Sequence, residues 1–285
     1  MRKIQFHSAD NENVHGDLFE PALSGKHPAV LFTHGLLSAR QEFGDYPERL
    51  AGLGYVTLSI DQRGHGLSGG PRGYVTPARG IQDIHAALDF LAGLATVDVT
   101  RLALVGHSLG AAFSICAAAV EPRVKTLVAI APPASIRAEL KPGEGALYAL
   151  AGGVGKLYRR ATGKLLYLPY RVGVNDLFHH EAARQAARQA DFLQKQAPSE
   201  TASALVNELD TNSAAAQVRI PTLIMQAEHD RIVTTARQVY ETLSGPKQFV
   251  QVDDSGHSIM TDGHGAEAFE IVAEWLTKNL QEVKS

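Results

Sequence analysis

The stretch Leu102-Ala103-Leu104-Val105-Gly106-His107-Ser108-Leu109-Gly110-Ala111 decides the fold. Four consecutive apolar residues run into Gly-His-Ser-Leu-Gly, and Ala111 to Ala119 then has helix-forming composition. A strand that turns sharply into a helix holds the residue at the corner in strained backbone geometry, so the positions two either side must carry almost no side chain. Gly106 and Gly110 meet that demand around Ser108. The helix that follows aims free N–H groups and a positive dipole end at the space in front of the serine. The bare five-residue pattern arises by chance in roughly one chain in ten, so its weight comes from the strand before it and the helix after it.

Working outward, runs of the same kind recur at Ala29 to Thr33, Tyr55 to Ile60, Val124 to Ile130, Thr222 to Met225 and Phe249 to Val252, as strands buried on both faces would be. Two short alternating stretches precede them. Helical stripes lie between, with Ile81, Ile84, Leu88 and Leu91 on one face and Phe269, Val272, Ala273 and Leu276 on another. Alternation of this kind predicts an α/β fold with a mostly parallel central sheet of about eight strands and helices on both faces. It breaks after Ala134. Residues 135–216 lack strand-like runs and shift to Ala, Arg, Gln, Gly and aromatics, which reads as a helical cap inserted into a core of residues 1–134 and 217–285. The tyrosines of the insertion and Phe178 are expected to face inward.

The composition bounds the partners. A chain of 285 residues, 45% apolar and with net charge -3, forms one sizeable core and has no field that would draw nucleic acid. Its single cysteine, Cys116, closes no intrachain disulfide and reads as a small helix residue. No apolar run spans a membrane and the N-terminus lacks the apolar core of a signal peptide, so a cytoplasmic location is the expectation.

A serine hydroxyl is a poor nucleophile without a base, and the base needs an orienting acid. With the nucleophile at a strand-to-helix corner, the chain order is Ser, acid, His. The run from Thr222 leads to Asp230 and the run from Phe249 to His257. Both lie just past strand ends, where open parallel sheets assemble their sites. Asp253 and Asp254 are rival acids on the histidine's own strand end. The loop His34-Gly35-Leu36 after the third strand is the place for a second oxyanion donor, so the backbone N–H groups of Leu36 and Leu109 are assigned as the pair.

Together His34-Gly35, Asp61-Gln62-Arg63-Gly64-His65-Gly66-Leu67-Ser68, Gly106-His107-Ser108-Leu109-Gly110, His229-Asp230 and Gly256-His257 resemble the α/β-hydrolase superfamily. Within it the chain is similar to the capped group of monoacylglycerol lipases, cinnamoyl esterases and serine aminopeptidases. The likeness covers roughly 29–134 and 217–280 and leaves the insertion unmatched. It implies a serine hydrolase of carboxylic esters with catalytic Ser108, Asp230 and His257, a small-molecule substrate, and neither metal nor organic cofactor. Thioesterase, amidase or peptidase chemistry uses the same residues, and a noncatalytic ligand receptor is a further alternative.

Other residues receive bland readings. His34, His65 and Arg63 are expected to stabilise loops, and His107 and His229 merely adjoin candidate residues. His179 and His180, taken as neighbours on a helix, diverge by about 100° and lack the i, i+4 spacing of a zinc helix. Gly155-Lys156 fails as a phosphate loop because Leu157 stands where Ser or Thr is required. The basic stretch Lys156 to Arg171 is expected to be a helix with a solvated basic face and an apolar face over the active site, in preference to an element lying on a membrane surface.

Overall fold

The computed structural model describes residues 1–169, 172–190 and 192–280. Strands β1 (Arg2–His7) and β2 (Asn13–Phe19) form an antiparallel ribbon whose second strand pairs antiparallel with β4 (Val56–Asp61). From there the sheet is parallel through β3 (His27–Thr33), β5 (Val97–His107), β6 (Val124–Ile130), β9 (Thr222–Ala227) and β10 (Lys247–Val252). The order across its eight strands is β1-β2-β4-β3-β5-β6-β9-β10.

The apolar runs are continuous because each strand serves two interiors. Ala29 and Leu31 of β3, with Leu102 and Leu104 of β5, pack toward α2 (Pro77–Ala92) and α3 (Leu109–Ala118). Val30, Phe32, Ala103 and Val105 pack toward α1 (Tyr46–Gly52) and α10 (Gly265–Leu280). Strand side chains alternate faces, so a sheet covered on both sides has no polar face to show. Thr76 starts α2 by accepting a hydrogen bond from the N–H of Arg79, and Pro77 fills the first helical position.

Neighbouring β3 and β5 send their connections in opposite directions, β3 back to β4 and β5 on to β6, which makes the crevice between them the switch point of the sheet. Thr33 stands opposite Gly106 and Ile130 opposite His107, so the loops leaving these strands start at one level.

Between β6 and β9 lie α4 (Glu144–Thr162), a short ribbon of β7 (Tyr167–Pro169) with β8 (Gln196–Pro198), the helices α5 (Val174–Leu177), α6 (Glu181–Gln189) and α7 (Ser199–Glu208), and α8 (Thr211–Ala215). The two ribbon strands were not legible as strands, since three residues are too short to establish a period. Leu205, Leu209 and Ala215 join the main core cluster, where α8 packs on α3 and on α9 (Ala236–Thr242).

Helix α4 corrects one expectation. Its apolar side chains, Leu147, Leu150, Val154, Leu157 and Tyr158, are exposed, and the surface it presents to α7 is made of Gly152 and Gly155. Tyr170 and Arg171, which belonged to the predicted basic stretch, lie outside the described residues. No helix among the described residues is long and apolar enough to cross a membrane.

Candidate functional site

Ser108 sits at the corner between β5 and α3 with φ 53° and ψ −119°, a left-handed conformation that a side chain rarely adopts. The tightness of the turn explains its glycines. A Cβ on Gly106 would stand 2.6 Å from the Cα of Ala111, and one on Gly110 would stand 2.1 Å from the carbonyl oxygen of Thr33. The corner is pinned from below by the Ser108 N–H, which donates to the Ile130 carbonyl at 2.8 Å, and by Thr33 Oγ1 donating to the Gly110 carbonyl at 3.2 Å.

The loops after β9 and β10 bring two more side chains to the same end of the sheet. His257 Nδ1 donates to Asp230 Oδ2 at 2.8 Å, with side chains only 3% and 1% exposed. Oδ1 of the same carboxylate accepts from the N–H groups of Ile232 at 2.8 Å and Val233 at 2.9 Å. Burial pushes the Asp230 carboxyl up, but the charge of His257, its hydrogen bond and those two amides outweigh it and hold the group below its ordinary value. The Nδ1 bond fixes the ring so that Nε2 is left for the cavity, which both Ser108 and His257 line.

The rival acids are occupied elsewhere. Asp253 accepts from Gln251, and Asp254 lies against His179 and His180. Gln226, four residues before Asp230, donates from Nε2 to Asp230 Oδ2 at 2.9 Å and to the Val233 carbonyl at 3.0 Å, so it holds the carboxylate and its turn together. Sequence reasoning missed this role; the i, i+4 spacing across a strand end was the only sign of it.

Leu36 lines the cavity, and Leu109 opens α3 with its side chain buried. Among the described residues neither N–H has a hydrogen-bond partner. The Leu36 loop is held by buried histidines. His34 Nδ1 donates to the Gly35 carbonyl at 2.7 Å while its Nε2 accepts from the Gln62 N–H at 3.0 Å. His65 Nε2 accepts from the Leu37 N–H at 3.2 Å, and burial holds this ring neutral by lowering its pKa to about 3. Arg63 is buried against Asp83 and donates to the Arg79 carbonyl. All three act on loop geometry, as expected of them.

His107 does more than adjoin the serine. Its Nδ1 lies 2.6 Å from Glu42 Oε1 and its Nε2 2.9 Å from the carbonyl oxygen of His257. With Glu42 ionised both nitrogens face acceptors, the arrangement that favours the doubly protonated ring. Burial opposes that charge, but Glu42 raises the ring's pKa, while burial's upward push on Glu42 is overcome by His107, leaving the carboxyl at about 2. Glu42 Oε1 also accepts from the Gly35 N–H at 3.1 Å. One buried ion pair thus ties the Leu36 loop, the Ser108 corner and the His257 backbone together. Nothing in the sequence around Glu42 marks it, because its partners are 7, 65 and, through His107, more than 200 positions away.

The cavity measures about 490 Å³. Its floor is Gly35, Leu36, Ser108 and His257, and its far wall comes from residues within 172–190 and 192–195, including Leu177, Phe178, Phe192 and Leu193. Phe178 faces inward as expected, whereas α4 contributes nothing to the lining.

The sequence pattern of the family described as serine aminopeptidase, S33 matches residues 25–264. The chain belongs to this family of α/β hydrolases. Membership makes it a hydrolase by lineage, and the relatives of this S33 chain span several chemistries. It is 29% identical to a thiohydrolase of Arthrinium phaeospermum over 97% of this chain and 96% of that one. It is 25% identical to a polyketide transferase of Stachybotrys chlorohalonatus, covering 93% of each. In structure it is similar to the monoacylglycerol lipase of Paleococcus ferrophilus, with a TM-score of 0.78 at 21% identity over 93% of this chain and 99% of that one. The last likeness speaks to the fold.

Proposed function

We propose that this protein is a serine hydrolase that cleaves carboxylic esters through an acyl-enzyme, with Ser108 as nucleophile, His257 as base and Asp230 as orienting acid, all three set at strand ends of a core of residues 1–134 and 217–285 that residues 135–216 cap. What carries the reading is the buried 2.8 Å bond from His257 to Asp230, opening on the cavity that also holds the strained Ser108. His257 Nε2 takes the hydroxyl proton as Ser108 Oγ attacks the acyl carbon. Asp230 stabilises the imidazolium that results. The N–H groups of Leu36 and Leu109 hold the tetrahedral oxyanion, each worth about 2.7–4 kcal/mol in comparable sites. His257 then protonates the departing alcohol, and water, deprotonated by the same nitrogen, releases the acid.

A cavity of about 490 Å³ whose cap side offers Leu177, Phe178, Phe192 and Leu193 beside Arg188 and Lys195 suits small to medium acyl or aryl monoesters. A second reading, thioester cleavage by the same residues, is favoured by the name of the thiohydrolase relative. A panel of p-nitrophenyl esters and matched acyl thioesters separates the two, because only the leaving group differs. Wild type should turn over short and medium acyl chains, and Ser108→Ala should lose about 10⁶-fold in kcat, as nucleophile removal does in comparable enzymes. Activity that survives Ser108→Ala, or a fluorophosphonate that fails to label Ser108, overturns the proposal; a peak on emulsified long-chain triacylglycerols overturns the substrate class.

A further inference from the structure

Outside the cavity, four histidines converge on one carboxylate. His179 Nε2 lies 3.1 Å from Asp254 Oδ1 and His229 Nε2 lies 4.0 Å from the same oxygen. His180 Nε2 is 3.3 Å and His264 Nε2 3.8 Å from the other oxygen, Asp254 Oδ2. His179 and His180 do not sit side by side on a helix, as the sequence suggested. They form the bend before α6, held by Asp262, whose carboxylate accepts from both of their N–H groups and from that of Gly256. In a bend the 100° divergence of helical neighbours does not apply, and both rings reach Asp254.

We infer that His179, His229 and Asp254 form a binding site for a divalent transition metal, Zn²⁺ being the ion whose preferences fit best. One ligand atom from each residue lies within 4.8 Å of the other two. Ligands about 2.0–2.2 Å from a tetrahedral Zn²⁺ stand about 3.3 Å apart, so the His179 to Asp254 edge is already the right length. The other edges close by a ring rotation of two half-exposed side chains. Two imidazoles and a carboxylate suit zinc, whereas Ca²⁺ and Mg²⁺ seek oxygen. The His179 and His229 rings are stacked with centroids 4.0 Å apart, and rotation out of that stack turns both Nε2 lone pairs toward a single ion. Asp254 is held at φ 46° with its N–H donating to Glu228 at 2.9 Å, so its carboxylate is aimed by the backbone. Water or His180 completes the shell.

The three ligands come from three segments. His179 follows directly on Phe178 of the cavity wall, His229 precedes Asp230, and Asp254 is three residues before His257. An ion here staples the far wall of the cavity to the two loops that leave β9 and β10, and its role is to hold that wall, with no part in the bond-breaking steps.

The test uses the full chain, stripped with chelator and titrated with Zn²⁺ alone by calorimetry, with thermal melting alongside. Wild type and Ser108→Ala should both bind one equivalent and melt several degrees higher with Zn²⁺, since a ligand of the native state stabilises by mass action. Even groups that only hydrogen-bond to a metal's ligands are worth about 10–100-fold in affinity, so Asp254→Asn and the double variant His179→Ala/His229→Ala should each bind at least about 100-fold more weakly. Far-ultraviolet circular dichroism establishes that the variants are folded. Tetrahedral Co²⁺ bands should appear on wild type and vanish in the double variant. Wild type that fails to bind, or variants that bind as tightly as wild type, overturns the inference.

Discussion

Helices α3 and α4 are both rich in small and apolar residues, yet they use them in opposite ways. Along α3 every residue except the half-buried Cys116 is buried, against β5 and β6 on one side and α2 and α8 on the other. Along α4 the leucines face out while Gly152 and Gly155 face in, with Gly152 so close to α7 that a Cβ would stand 2.2 Å from that of Ser203. The lesson is that an apolar stripe tells which residues share a helix face, and says nothing about whether that face is the one that is covered. At α3 the surroundings are strands that offer apolar surface except at Thr33, whose hydroxyl meets Gly110 and Ser114. At α4 the neighbour α7 offers Ser199 and Ser203, and backbone approach through glycine replaces side-chain interlock.

That contrast can be broken or sharpened by substitution. The largest effect belongs to the strand-end region. Asp230→Asn leaves the shape intact but replaces the acceptor of the His257 Nδ1 proton, and kcat should fall by about 10⁴-fold, by analogy with the same change in serine proteases. A loss below tenfold, measured on any turned-over ester, would move the acid elsewhere. Glu42→Gln strands the buried His107 imidazolium, and breaking one side of a buried pair costs about 3–5 kcal/mol. Denaturant midpoints should register that loss in full at neutral pH.

The same pair predicts a pH dependence with a definite sign. His107, whose folded pKa is raised from 6.5, contributes stability that is complete below that value and is lost as pH rises through the folded one. Glu42, held at about 2 against an ordinary 4.5, contributes above 4.5 and loses its part as pH falls toward 2. Stability should therefore decline on the alkaline side of pH 6.5 in wild type, and His107→Asn should flatten that limb.

The smallest effects belong to α4. Gly152→Val forces the helix off α7 and should cost about 1–3 kcal/mol, the usual range for overpacking. Leu150→Ser on the outer face should change stability by no more than about 0.5 kcal/mol. Should Leu150→Ser prove the costlier of the two, the face seen as exposed is covered in solution and the contrast with α3 fails.

Much of the core was legible because its rules are local. Strands buried on both faces leave unbroken apolar runs, and the corner at Ser108 demands glycines at fixed offsets, so β3, β4, β6, β9 and β10 could be read within two residues of their bounds, and β5 in its buried half. Asp230 and His257 were legible as strand-end residues in the right order. Gln226, the carboxylate's support, was marked by nothing but its spacing from Asp230. Glu42 was invisible, since a residue in a short loop turn carries no sign of a partner far along the chain. The meeting of His179 and His180 at Asp254 was hidden for a related reason: neighbours on a helix diverge, and here the chain bends.

The sequence by itself determined the sheet, its two-sided covering and the corner that strains Ser108, because each follows from periodicity or from the steric needs of neighbours in the chain. Only the tertiary structure decided that α4 turns its leucines outward, that a buried glutamate and imidazolium lock the loops of β3, β5 and β10 together, and that four histidines meet at Asp254. Those are contacts between segments distant along the chain. Their free energies depend on distance and burial, quantities that exist only once the strands have been laid side by side.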